Sequence, residues 1–287
     1  MTRIPYTKLV GAGNDFILID ALRHSVRPLQ RRWPRLAQAV CDRRQGIGAD
    51  GLLVLGRSRV ADVRMRIFNP DGTEPSMCGN GIRCAAWYVS RQGMAHQQVS
   101  IETNAGIKQA QVRSARRIRI NMGVPRILEI MRRTHAVLID VGVPHLVCWV
   151  DDVAAVDVET LGRRLRHHRR FQPNGVNVDF VESVQEPRRL GATRHDIRLK
   201  MRTYERGVEG ETRACGTGAV AAAAAAVRGQ CQAGQFEIAV RVPGGLLRVS
   251  LGVRQRTDRG LVFSSAFLEG GARQVSRGTV TWNGRRP

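Results

Sequence analysis

Two short stretches of this chain hold residues that could do chemistry at a carbon atom. Glu74-Pro-Ser-Met-Cys78-Gly79-Asn80-Gly81 lies in the first half, and Glu211-Thr-Arg-Ala-Cys215-Gly216-Thr217-Gly218 in the second. Both read Glu, three residues, Cys-Gly-x-Gly, then a small or apolar run. The repetition points to a duplicated unit that supplies one thiol from each half. Each Cys sits at a glycine-rich turn opening a helix, where backbone N–H groups point outward and the helix dipole favours an anion. The same place is expected to lower a thiol pKa and make thiolate available.

Three chemistries suit two such thiols. A redox dithiol usually places both sulfurs in one Cys-x-x-Cys, which this chain lacks. A nucleophilic cysteine with a histidine partner, for which His145 is the candidate, would leave the second Cys idle. Proton transfer at a carbon, with one thiolate removing a proton and one thiol supplying another from the opposite face, is the only one that needs two equivalent thiols facing each other. Backbone N–H groups of Gly79, Asn80, Gly216 and Thr217 would hold a carboxylate and stabilise charge delocalised into it.

Stepping along the chain gives the elements that must position these groups. Tyr6-Thr-Lys-Leu-Val and Ile17-Leu-Ile-Asp20 read as strands joined by a tight turn at Gly11-Ala-Gly-Asn14, with Asn14 at its tip. Residues 29–45 carry helical spacing, with Pro34 as an alternative start. Gly46-Ile-Gly-Ala-Asp50-Gly51 precedes a strand, so it is neither a Walker loop nor a dinucleotide fingerprint. Asp62–Phe68 and Ile197–Tyr204 alternate alike, and each precedes a turn, a cysteine motif and a helix. Helices are predicted at Ile82–Val89, Val158–Arg170 and Ala219–Val227, with Cys84 as packing. Strands are predicted at 98–103, 107–122, 135–141, 146–150, 235–243, 245–252 and 260–267, and a further strand begins near Asn177. Gly142–His145 reads as a turn. The helix Ala219–Val227 has no polar face and must be buried all round, as the axis of its half wrapped by a curved sheet. A last strand, 278–282, must find an edge, and the first half offers one. Glu74 and Glu211 read as loop braces or caps.

Composition bounds the class. With 287 residues and 43% hydrophobic content, the chain can build one large core or two ordinary ones. Met1-Thr-Arg-Ile-Pro-Tyr-Thr-Lys has no signal-peptide character, and Ala219–Val227 is far short of a membrane span. The six cysteines form no disulfide framework or zinc pattern and suit a reducing cytoplasm. The net charge of +22 is almost all Arg, since Lys occurs only at Lys8, Lys108 and Lys200. Scattered arginine reads as a solvated basic surface. A basic nucleic-acid-binding protein is the alternative from another class, but it leaves the cysteine repeat unexplained and lacks interleaved aromatics.

Several stretches resemble the diaminopimelate epimerase family. They are Gly11-Ala-Gly-Asn-Asp-Phe, Gly46-Ile-Gly-Ala-Asp, Phe68-Asn-Pro-Asp-Gly, Met77-Cys-Gly-Asn-Gly-Ile-Arg-Cys, Tyr204-Glu-Arg-Gly-Val-Glu-Gly-Glu-Thr and Ala214-Cys-Gly-Thr-Gly-Ala, in order over nearly the whole chain. The resemblance implies a cofactor-free enzyme converting LL-diaminopimelate to the meso form, for lysine and cell-wall synthesis. It implies a mixed α/β (α+β) fold of two similar domains, each a curved, mostly antiparallel sheet or barrel around a central helix, with the active site in the cleft between them. The expected domains are 1–124 plus 271–287, and 125–270. A homodimer is usual, with no membrane and no specific nucleic acid. Carried over, Cys78 and Cys215 are the acid/base pair. Asn14, Asn69, Asn177 and Arg206 hold the distal amino-acid end. Glu205 and His145 bind substrate and tune the thiols. Gly51 and Val143 stand where many members have Gln and Asn. Proline racemase and hydroxyproline epimerase share the two-thiol logic, but usually have His where this chain has Asn80.

Overall fold

The computed structural model describes residues 2–24, 29, 32–184, 196–228, 233–256 and 260–284. Cys231 lies outside them. The chain forms two compact units, Met1–Ile120 with Gly270–Pro287, and Asn121–Glu269.

The first unit runs β1 (Thr2–Gly11), β2 (Asn14–Asp20), α1 (Trp33–Cys41), β3 (Gly51–Gly56), β4 (Val63–Phe68), α2 (Gly79–Arg91), β5 (Gln98–Thr103), β6 (Gly106–Ser114) and β7 (Arg117–Gly123). The second runs β8 (Arg126–Met131), β9 (Ala136–Asp140), β10 (Pro144–Trp149), α3 (Val158–Arg166), β11 (Asn177–Ser183), β12 (Asp196–Glu205), β13 (Gly210–Thr212), α4 (Gly216–Val227), β14 (Gly234–Val242), β15 (Gly245–Arg256) and β16 (Gly260–Gly270). The last strand, β17 (Arg273–Trp282), returns to the first unit and pairs antiparallel with β1.

Strand pairing repeats between the units. In the first, β17, β1, β2, β3, β4, β5, β6 and β7 are neighbours in that order, parallel only at β2–β3 and β4–β5. In the second, β8, β9, β10, β11, β12, β14, β15 and β16 follow, parallel only at β10–β11 and β12–β14. The parallel neighbours β2 and β3 read as continuous buried apolar runs, as strands covered on both faces must. β4 alternates, with Val63, Met65 and Ile67 buried.

The helix after each cysteine is the axis of its unit. α2 packs on β1 to β6, and α4 on β9, β10, β11, β12, β14 and β15. Every residue of α4 from Gly218 to Ala225 is buried, which explains a helix of alanine and valine with no charge. The other helices cover the opposite faces. Leu36, Ala37 and Val40 of α1 join Ile17, Ile19, Leu52 and Val54 in one core. Val158 of α3 joins Val178, Phe180 and Tyr204 in another. Gly162 permits that second contact, because a Cβ there would lie 2.7 Å from Tyr204 Cγ.

Several local readings change. The β1–β2 hairpin turns on Ala12 and Gly13, both at positive φ (53° and 85°), so Asn14 is the first residue of β2 and not the tip. The helix expected within 29–45 is confined to Trp33–Cys41, with proline in its first turn. The strand expected at 107–122 is the hairpin β6–β7. The helix expected at Val158–Arg170 stops at Arg166, and Arg169–Phe171 forms a separate 3-10 turn. His145 is not in a turn but inside β10, facing Ile139 on one side and Asn177 on the other. Among the described residues, no helix is long and apolar enough to cross a membrane.

Candidate active site

Each motif cysteine is the residue that caps its helix. Cys78 has extended backbone (φ −144°, ψ 113°), and its Sγ accepts from the Gly81 N–H at 3.4 Å. Cys215 has φ −110° and ψ 112°, and its Sγ accepts from Gly218 at 3.4 Å. A sulfur thus takes the place that a serine or aspartate oxygen usually fills. Gly79 and Asn80, and Gly216 and Thr217, form the first positions of the two helices, where N–H groups have no intrahelical acceptor. The repeated glutamates brace these loops. Glu74 takes a two-pronged bond from Arg66 of β4 (2.8 and 2.6 Å), and Glu211 takes one from Arg202 of β12 (2.8 and 2.7 Å). Bracing is therefore their role, and neither caps a helix.

Around Cys78 the structure collects Asn14 and Asn80. Asn80 Nδ2 donates to Asn14 Oδ1 (2.6 Å), and Asn14 Nδ2 donates to Asp50 Oδ2 (3.0 Å). Arg83 of α2 is fully buried and donates to Asn80 Oδ1. Burial pushes the Arg83 guanidinium pKa down. These bonds orient both amides, and the sequence reading missed Asp50 and Arg83. Asp50 stands in a glycine loop with no local signature, and its role shows in the bonds it accepts from the Asn14 amide, the Asp15 N–H and Arg43. Asn69 follows β4, and its Nδ2 donates to Thr73 Oγ1 at 2.9 Å.

Around Cys215 the second unit builds a buried polar cluster. His145 and Asp179 are fully buried, with Nδ1 2.7 Å from Asp179 Oδ2. Thr203 donates to Asp179 Oδ1 at 2.8 Å. Asn177 Nδ2 lies 3.3 Å from the Pro144 carbonyl and 3.5 Å from His145 Nε2, while its Oδ1 accepts from Arg206 N–H at 2.9 Å. Glu205 ends β12, and burial raises its carboxyl pKa above the ordinary value. The guanidinium of Arg206 makes one long bond, 3.5 Å to the Asn174 carbonyl. Asp179 and Thr203 were also missed.

One expectation reverses here. The helix terminus was expected to lower the thiol pKa, yet Cys215 is pushed well above the ordinary thiol value. Burial is the main cause, and the carboxyls of Glu205 and Asp179 add to it. The Thr217 hydroxyl and Gly218 N–H pull the other way and are outweighed. Burial therefore favours the protonated form of the Cys215 thiol.

Comparison with known proteins fits this arrangement. The family model for diaminopimelate epimerase matches residues 6–128 and 137–263. The chain belongs to the diaminopimelate epimerase family. Curated relatives of that name include one from Archaeoglobus fulgidus, 37% identical over 98% of both chains. Another, from Methanothrix thermoacetophila, is 39% identical over 98% of this chain and 97% of its own. Among solved structures, a phenazine biosynthesis protein from Bacillus anthracis is similar with TM-score 0.72 and 16% identity, over 98% of this chain and 100% of that one. A probable proline racemase from Agrobacterium radiobacter gives 0.67 at 16%, over 98% and 93%. These two share the fold. Membership makes the chain an isomerase of the epimerase type with a mixed α/β (α+β) fold. The readings as a proline racemase or as a nucleic-acid-binding protein are not favoured.

Proposed function

We propose that the protein interconverts LL- and meso-2,6-diaminopimelate without a cofactor, with Cys78 and Cys215 as its two proton carriers. The observation that supports this most is the repeated capping thiol, one at the head of each central helix. A thiolate on one side takes the Cα proton as the electron pair moves toward the α-carboxylate. N–H groups of Gly79, Asn80, Gly216 and Thr217 stabilise that charge. The opposite thiol then delivers a proton to the other face, and Cα is inverted. Cys215, which holds its proton, is the acid in the resting protein.

The distal end of the substrate carries an ammonium and a carboxylate. Arg206 supplies a planar fork for that carboxylate. Asn14, Asn69 and Asn177 supply amide contacts, and Glu205 and His145 are the polar neighbours of the thiols. Domains 1–124 plus 271–287 and 125–270 each supply one of the two thiols. A homodimer in the cytoplasm completes the reading, and light scattering tests the copy number.

Cys78→Ala and Cys215→Ala test the assignment. Each should cut epimerisation by at least about 10²-fold, since a positioned proton carrier supplies ~10²–10⁴. Cys84→Ala, which alters only packing, serves as the control. Near-normal turnover in a folded Cys78→Ala or Cys215→Ala protein contradicts the proposal.

A further inference from the structure

The two units repeat closely enough to be compared residue by residue. Leu52 faces Phe68 across β3–β4, and Val178 faces Tyr204 across β11–β12. Arg66 and Arg202, each two residues before those aromatics, clasp the two motif glutamates. This register aligns Leu53 with Asp179 and Ile67 with Thr203. Phe16 pairs with Gly51 on the parallel neighbour, and His145 with Asn177, so Phe16 aligns with His145. A second contact checks the alignment. A Cβ placed on Gly81 would meet Leu53 Cδ2 at 3.1 Å, and one on Gly218 would meet the Asp179 carboxylate.

Three buried apolar residues beneath the first turn of α2, Phe16, Leu53 and Ile67, are therefore matched by three buried polar ones beneath α4. His145, Asp179 and Thr203 are joined by hydrogen bonds of 2.7 and 2.8 Å. Polar burial of this kind is costly unless satisfied, and stability alone would be served by repeating the apolar trio.

We propose that Asp179 is a positioning residue that holds a proton on His145 Nδ1 and keeps Cys215 protonated at rest, a device fitted to one half only. The inference rests on the reading of Cys215 as a proton carrier. The Asp179 carboxylate lies against the helix end where a thiolate would otherwise be favoured, so a second anion there is opposed. The groups facing Cys215 are Asp179 from β11, Glu205 from β12, and Thr217 and the Gly218 N–H from α4. His145 of β10 faces Glu205 and Asp179, and is the one group of this set that can carry positive charge. Because Asp179 accepts at both oxygens, His145 presents Nδ1–H to it and leaves the Nε2 lone pair toward Asn177.

The test is a thiolate titration of the full-length, substrate-free protein by ultraviolet absorbance. The difference between wild type and Cys215→Ser isolates the Cys215 thiolate, and the same difference is taken in an Asp179→Asn background. Asp179→Asn should lower the Cys215 midpoint by about one pH unit or more, the effect of removing one nearby charge. The matching Cys78→Ser difference should be unmoved by Asp179→Asn. An unchanged Cys215 midpoint, or an equal shift at both cysteines, overturns the proposal. Should Asp179→Asn fail to fold, nitrogen-15 NMR of histidine-labelled wild type decides: Nδ1-protonated His145 is expected, and the Nε2-protonated tautomer refutes it. No substrate enters either measurement, so these outcomes are separate from success or failure of the epimerase assay.

Discussion

Gly81→Ala and Gly218→Ala make the same change at the same motif position and should have opposite outcomes. At Gly81 the new methyl would sit 3.1 Å from Leu53 Cδ2, the end of a side chain that can yield by a few tenths of an ångström. Alanine in a helix gains roughly 0.5–1 kcal/mol over glycine, so Gly81→Ala should be within about 1 kcal/mol of wild type. At Gly218 the methyl would sit 3.1 Å from Asp179 Cγ and well inside contact of Oδ1. Asp179 cannot retreat without breaking its bonds to His145 (2.7 Å) and Thr203 (2.8 Å), all three being buried. Overpacking costs ~1–3 kcal/mol, and a buried partner left unsatisfied ~1–3 more. Less the helix gain of roughly 0.5–1 kcal/mol, Gly218→Ala should destabilise by about 1–5 kcal/mol. At ~2–4 °C per kcal/mol for a body of this size, Tm should fall by roughly 2–20 °C. Thermal unfolding followed by circular dichroism, with the epimerase rate measured below the transition, makes the comparison. Equal stability of the two variants would refute the claim that Asp179 is fixed under the head of α4.

Four further outcomes follow. Arg206→Lys should raise KM for diaminopimelate about tenfold or more with a smaller change in kcat, because a charge-assisted fork worth ~1.5–3 kcal/mol becomes a point charge; steady-state kinetics check it. Glu74→Ala and Glu211→Ala should each cost about 1 kcal/mol, their partners being a quarter to a third exposed, and the double variant should lose the sum by denaturant titration. Gly162→Ala drives a methyl into buried Tyr204 and should cost at least about 1–3 kcal/mol, read as a lower urea midpoint. Asp15 is held at about 2, because Arg43 and Lys8 outweigh the upward push of burial. Its contribution is present above the unfolded value near 3.8 and is lost as pH falls through about 2. After solvent screening it is on the order of 1 kcal/mol, and Asp15→Asn should lose it at pH 6 and only a small part of it at pH 2.

What was legible in the sequence was whatever carried a period or a repeat. The capping cysteines, the buried axis α4, the β1–β2 hairpin and the alternation of β4 and β12 all leave local signals, and their duplication made the thiols credible as a pair. The return of β17 to β1 was legible as an unpaired strand needing an edge. β8 was missed because its apolar residues, Ile127-Leu128 and Ile130-Met131 on either side of Glu129, do not alternate. The β6–β7 turn was missed because Ala115-Arg116 contains no Gly or Pro. Asp179 was hidden for a different reason. A carboxylate within Asn177-Val-Asp-Phe-Val has no local signature, and only the folded side-chain contacts bring it to His145 and Gly218. The thiol pKa was misjudged because a helix terminus can be read from sequence, whereas burial cannot.

The central claim, that two thiols move protons on opposite faces of one carbon, is tested most directly in deuterated water. The protein is incubated with LL-diaminopimelate and no added cofactor, and early time points are scored together for stereochemistry and for label at Cα. The account predicts that meso product carries solvent deuterium at the inverted Cα, while LL substrate recovered at the same time still carries protium. Product that keeps its original Cα proton, or recovered LL substrate labelled as fast as product forms, would contradict it.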